Sequence, residues 1–156
     1  MITCCQMTEA HKPEVLRLLN LFFNEDEYYL DSSTAYGGGG NAALQQALDL
    51  FSNHPELGFV WVAADEQGIA GVCVVCFAIS TSAGGMVAKL DDVYVPAGRQ
   101  NQGVGSMLMS SLFQELKSRG LFRIDTSVHH DNTGAERFYL RHGFKPLNEE
   151  RLSLLL

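Results

Sequence analysis

A chain of 156 residues, 46% hydrophobic and 19% charged, has the size and composition of one globular domain spanning residues 1–156, which excludes disorder, collagen and coiled coil. The net charge of −7 argues against nucleic acid as a partner. The longest apolar stretches, Phe59 to Ala64 and Ile69 to Ile79, fall short of the ~20 residues of a membrane helix, so no membrane contact is expected.

The first elements follow from periodicity. A short strand is expected at Ile2 to Gln6, without the basic start and apolar block of a secretory signal, which predicts a cytoplasmic protein. Val15, Leu18, Leu19 and Phe22 then recur at helical spacing behind Pro13. Asn24 to Tyr36, acidic and aromatic, and the four glycines Gly37 to Gly40 read as a mobile loop. A second helix is expected over Asn41 to Ser52, and strands at Phe59 to Ala64 and Ile69 to Ser80 join through a turn at Asp65 to Gly68. Further strands are expected at Met86 to Val95 and Phe122 to Val128, helices at Gly103 to Arg119 and Thr133 to Arg141, and one or two closing strands in Phe144 to Leu156. This order implies a mixed α/β fold: a mostly antiparallel central sheet of six to seven strands with about four helices on its two faces.

Charge is unevenly spread. Residues 1–88 hold two cations against ten carboxylates, and residues 89–156 hold nine against eight. The acidic half suits a cationic ligand or is simply a solvated surface. No metal site is expected. Cys73 and Cys76 are three apart in a strand and so face opposite ways, which reads as buried, inert thiols, and His11, His54 and His142 have no cluster around them.

Two stretches carry chemistry. Gln100-Asn101-Gln102-Gly103-Val104-Gly105-Ser106 runs from a strand end into a helix start, where free N–H groups and the helix dipole favour an anion and glycine admits a phosphate. The nucleoside-triphosphate loop is excluded, because no Gly-Lys-Ser/Thr follows, and Leu108 stands where the dinucleotide fingerprint needs its third glycine. The second stretch is Asn132-Thr133-Gly134-Ala135-Glu136-Arg137-Phe138-Tyr139-Leu140-Arg141-His142-Gly143-Phe144.

Together these resemble the GNAT family of N-acetyltransferases, with signatures Gln/Arg-x-x-Gly-x-Gly/Ala and Asn-x-x-Ala-x-x-Phe-Tyr-x-x-x-Gly-Phe. The resemblance implies the acyl-CoA N-acyltransferase fold, in which strands 4 and 5 splay apart to admit the pantetheine arm of acetyl-CoA as co-substrate. Backbone groups of Val93, Tyr94 and Val95 would pair with that arm. Gln100 to Ser106 would hold the pyrophosphate, with Asn132 and Phe138 beside it. Where many relatives carry Arg, this chain has Gln100 preceded by Arg99, so the phosphate contact falls to Arg99 or to backbone alone.

The resemblance also makes Tyr139 the acid for the departing thiolate, since a phenol with pKa ~10 stays protonated at neutral pH. Leu90-Asp91-Asp92-Val93-Tyr94-Val95 resembles the fourth strand of the polyamine branch, which places Asp91 at the amine as base or orienting group. Alternation puts Asp91 on the face of Val93 and Val95, with Asp92 opposite. Glu25, Tyr28 and Asp92 are the candidate acceptor contacts. The implied activity is direct acetyl transfer to a small cationic amine, with polyamines, aminoglycosides, amino acids and peptide N-termini all open. The alternative is a catalytically weak acyl-CoA-binding sensor. Family members often dimerise through C-terminal strands, and Leu152, Leu154, Leu155 and Leu156 suit a homodimer.

Overall fold

The computed structural model describes every residue from Met1 to Leu156. Its elements are β1 (Thr3–Gln6), α1 (Lys12–Glu25), α2 (Glu27–Ser32), a 3-10 turn (Ser33–Tyr36), α3 (Gly40–Asn53), β2 (Gly58–Asp65), β3 (Gly68–Ser80) and β4 (Gly85–Tyr94). A 3-10 turn (Ala97–Arg99), α4 (Val104–Ser118), β5 (Ile124–Thr126) and α5 (Thr133–Arg141) follow. The sheet keeps chain order, β1-β2-β3-β4-β5, antiparallel except for the parallel pair β4 and β5.

Both faces of this sheet are covered, and β2 shows how. Phe59, Trp61 and Ala63 join the core under α4 (Val104, Leu108, Met109, Leu112), whereas Val60 and Val62 join the core under α1 and α3 (Val15, Leu18, Leu19, Leu44, Leu48). Alternation with a period of two places these side chains on opposite faces, so a continuous apolar run marks a strand buried on both sides. In β3, Gly71 thins the sheet where α4 begins: a Cβ there would stand 2.8 Å from Leu108 and 2.9 Å from Val104.

Two expectations need correction. The sheet has five strands, not six to seven, because Phe144 to Leu156 adds none. Pro146 lacks an N–H, and Asn148, Glu149, Glu150 and Arg151 offer no apolar face to bury. There are also five α-helices, not about four, since part of the expected loop from Asn24 to Tyr36 is helical. Asp26 accounts for this: its Oδ1 accepts from the Tyr29 N–H at 2.8 Å and starts α2 as soon as α1 ends. No helix is long and apolar enough to cross a membrane.

β4 carries a β-bulge. Val75 stands opposite Leu90 and Val74 opposite Asp92, so Asp91 is the extra residue. Ala88 and Leu90 face α4 before the bulge, and Val93 and Val95 do so after it. The expected alternation therefore fails at Asp91: its carboxylate is 3.9 Å from Cys76 Sγ, on the face that Val74 shares with α1 and α3, which is also the face of Asp92.

Candidate active site

β5 pairs with Ala88, Lys89 and Leu90 only, and the Thr126 hydroxyl closes that contact by donating to the Leu90 carbonyl at 3.0 Å. Beyond it β4 continues to Tyr94 with no strand along that edge, so the strands part there. Val95, one residue past β4, has its carbonyl taken by Gln100 Nε2 at 2.9 Å. Gln102 Nε2 donates to the Gly98 carbonyl at 3.1 Å. Both glutamine side chains thus brace the turn. Its backbone bends through left-handed conformations at Asn101 (φ 59) and Gly103 (φ 78).

The consequence is a run of free donors. The amide N–H groups of Asn101, Gln102, Gly103, Val104, Gly105 and Ser106 make no hydrogen bond within the protein, and the last three open the 15-residue helix α4. Unpaired N–H groups at the positive end of a helix dipole attract an anion. Arg99 is committed elsewhere, since its guanidinium binds Asp65 and, at 2.7 Å, Gln67 Oε1, in the β2–β3 turn. The free donors of the turn are therefore backbone ones.

α5 lies against this turn. The Phe138 ring sits where a Cβ on Gly105 would come within 3.1 Å, and His142 Nε2 is 3.2 Å from Ser106 Oγ. Asn132 spends its Oδ1 on the α5 N-cap, accepting from the Ala135 N–H at 3.0 Å. Tyr139 is half-buried between Phe138 and Phe144, with ring centroids at 5.4 and 5.3 Å, against the core under α4. Burial pushes its phenol up to about 12, with the Thr126 hydroxyl acting the other way. Tyr139 therefore holds its proton throughout the neutral range.

The two aspartates differ. Asp91 is exposed and paired with Lys89 Nζ at 3.1 Å. Asp92 is half-buried, and burial together with the adjacent Asp91 raises its carboxyl to about 7, a rise opposed by Lys89 and Arg151. The charge of Asp92 in turn raises the phenols of Tyr29 and Tyr139, in each case after burial does. Around it Phe22 packs on Tyr94 (5.5 Å) and on Tyr29 (5.6 Å), Phe23 stacks on Tyr29 (4.4 Å), and Tyr36 approaches Tyr29 (6.0 Å).

Of the acceptor candidates, Glu25 stands near Tyr94, raising its phenol's pKa after burial does. Tyr28 turns instead to His129, ring to ring at 5.2 Å, while His129 Nε2 meets Asp31 Oδ2 at 2.7 Å. Sequence reasoning left out the pairing of Tyr29 with Asp92 by charge, and it left out Tyr36, Thr126 and Arg151. Tyr29 carried a signal, an aromatic residue three positions after a capping aspartate, but Tyr36, Thr126 and Arg151 belong to no motif. No group of three or more His, Cys, Asp or Glu side chains is arranged to hold a metal ion.

A family model described as an acetyltransferase (GNAT) domain matches residues 56–146. Among solved structures, a transcriptional regulator from Bacillus halodurans C-125 superposes with a TM-score of 0.80 at 22% identity, covering 100% of both chains. An aminoglycoside acetyltransferase from an uncultured soil metagenomic sample, in complex with trehalose, gives 0.69 at 20% identity, over 99% of this chain and 94% of that one. Glucosamine-6-phosphate N-acetyltransferase from Arabidopsis thaliana gives 0.73 at 13% identity, over 99% and 98%. At these identities the likeness establishes the fold. The sequence matches none of the curated proteins.

Proposed function

The chain belongs to the GNAT acetyltransferases, and on that premise we propose that it moves the acetyl group of acetyl-CoA directly to the nitrogen of a small protonated amine, both held in one ternary complex. The observation that carries this reading is the run of six unpaired amide donors from Asn101 to Ser106 beside the open edge of β4. Successive backbone N–H groups at a helix start fit a pyrophosphate, and an unpaired strand edge fits the amides of a pantetheine arm. When bound, acetyl-CoA supplies an activated thioester.

The residues supply the rest. Tyr139 keeps a proton at neutral pH and stands ready to donate it as the thiolate departs. A backbone N–H near Tyr94 is the donor we assign to the oxyanion. For the base, the geometry supports Asp92 over Asp91. An exposed aspartate held by Lys89 is a weak proton acceptor, whereas one raised to about 7 is matched to take a proton at neutral pH. Asp91, on the same face, would help keep that pKa high. Tyr29, Tyr36 and Tyr94 would shield the amine from water and present their ring faces to its charge.

The test is thiol release from acetyl-CoA across diamines, aminoglycosides, amino acids and peptides, alongside calorimetry of acetyl-CoA binding. We expect binding, and release that depends on an amine. Binding with no release for any amine would replace transfer by a sensing role.

A further inference from the structure

The wall that carries Asp92 also carries a positive group. Arg151, in the segment after α5, lays its guanidinium over the Tyr36 ring, 4.8 Å from the centroid. The Ser153 hydroxyl donates to the Ala35 carbonyl at 3.3 Å, which holds this segment against the 3-10 turn that bears Tyr36. Tyr36 in turn approaches Tyr29, the ring that feels the charge of Asp92.

Arg151 has no partner of its own. It makes no hydrogen bond to any residue, and no carboxylate oxygen comes within 4.0 Å of it, although its charge reaches Asp92. A guanidinium stacked on a tyrosine is fixed in orientation while its N–H donors stay free along the edge of the plane, where they match the two oxygens of a carboxylate or phosphate. A row of rings, Tyr94, Phe22, Tyr29 and Tyr36, thus runs from the face of β4 that bears Asp92 to the guanidinium of Arg151. A polyamine would set a like charge against Arg151, and like-charge contacts are penalised.

We propose that Arg151 is a specificity-determining residue: it receives a carboxylate or phosphate carried by the same acceptor whose amine lies at Asp92. The acceptor is then a zwitterion, an amino acid or an amino-phosphate, and not a polyamine. This rests on the amine-transfer reading above.

The test uses the full chain, acetyl-CoA and matched acceptors: free α-amino acids against their methyl esters, 6-aminohexanoate against 1,5-diaminopentane, and O-phosphoethanolamine against ethanolamine. The member bearing the anion should win in at least one pair by about 10-fold in kcat/KM, the effect of one charge-assisted hydrogen-bonded contact. Which pair responds distinguishes carboxylate from phosphate. Arg151→Ala should bring that ratio close to one, chiefly through KM, and Arg151→Lys should restore part of it. The assignment is overturned if no pair prefers the anion or if Arg151→Ala leaves the ratio unchanged. Acetylation without regard to the anion removes only the role of Arg151. Failure of every amine to discharge acetyl-CoA removes the transfer reading and this one together.

Discussion

The turn from Pro96 to Ser106 and the wall around Asp92 both adjoin the stretch of β4 that β5 leaves unpaired, yet they are made of different material. In the turn the side chains brace, with Gln100 and Gln102 on nearby carbonyls and Arg99 on the β2–β3 turn, and the backbone is left to bind. In the wall, side chains from distant parts of the chain meet instead: Tyr94, Phe22, Tyr29 and Tyr36 ring to ring, and Arg151 over Tyr36. A backbone site recognises an anion by shape and dipole and tolerates change in its side chains. A side-chain site can be retuned one residue at a time, which suits the half of an enzyme that chooses its acceptor.

That division is open to attack, most forcefully at Tyr139. Tyr139→Phe keeps the ring between Phe138 and Phe144 and removes only the hydroxyl. Positioned proton transfer contributes about 10²- to 10⁴-fold, so kcat should fall by at least about 10-fold, while acetyl-CoA affinity by calorimetry should hardly move. Wild-type turnover with chemistry shown to be rate-limiting would remove Tyr139 from the acid role.

The aspartates come next. Asp92→Asn should lower kcat/KM by about 10- to 100-fold and abolish the limb of the pH profile near 7, where activity in the wild type rises as the carboxyl loses its proton. Asp91→Asn should keep that limb and shift it to lower pH, because a neighbouring negative charge has gone. If Asp91→Asn removes the limb and Asp92→Asn does not, the two roles are reversed.

On the backbone side, Gly103→Ala places a Cβ at φ 78, and strain of about 1–2 kcal/mol should appear both in thermal stability and as weaker acetyl-CoA binding. Gly105→Val should weaken binding as well, but through the Phe138 ring that its Cβ would meet at 3.1 Å, so it should also loosen α5. Unchanged acetyl-CoA affinity in both variants would dismantle the cradle. The smallest effect concerns stability. Because Asp92 has a raised pKa in the folded protein, it adds stability at low pH that is lost as pH rises through about 7. Asp92→Asn should therefore raise the melting temperature most at pH 8, less at pH 5 and hardly at all below about pH 4, as differential scanning fluorimetry would show.

The same contrast explains what could be read in advance. The cradle was legible because glycines 103 and 105, set between a strand and a helix, are a local pattern with a local cause. Strands β2 and β3 were legible from their apolar runs and the turn between them. The wall was much less so, because Tyr36, Thr126 and Arg151 meet only through tertiary packing. The helix α2 was missed because acidic and aromatic residues were weighed as loop composition, whereas Asp26 acts as a cap. The face of Asp91 was missed because strict alternation cannot anticipate an inserted residue.

That inserted residue also bears on how this chain can change length. β4 serves two layers by parity, and Asp91 resets the count between Leu90 and Val93. A deletion of one residue at the bulge would heal the pairing with β3. It would also leave every later side chain on its present face, with Val93 and Val95 toward α4 and Tyr94 away from it, because Asp92, Val93 and Tyr94 already stand opposite consecutive residues of β3. Strand ends and loops can absorb insertions and deletions of any size. This stretch can lose one residue, the bulged one, and keep its faces, whereas losing two would turn the rest of the strand over, so residues 90–93 can be shortened only once in lineages descended from this sequence.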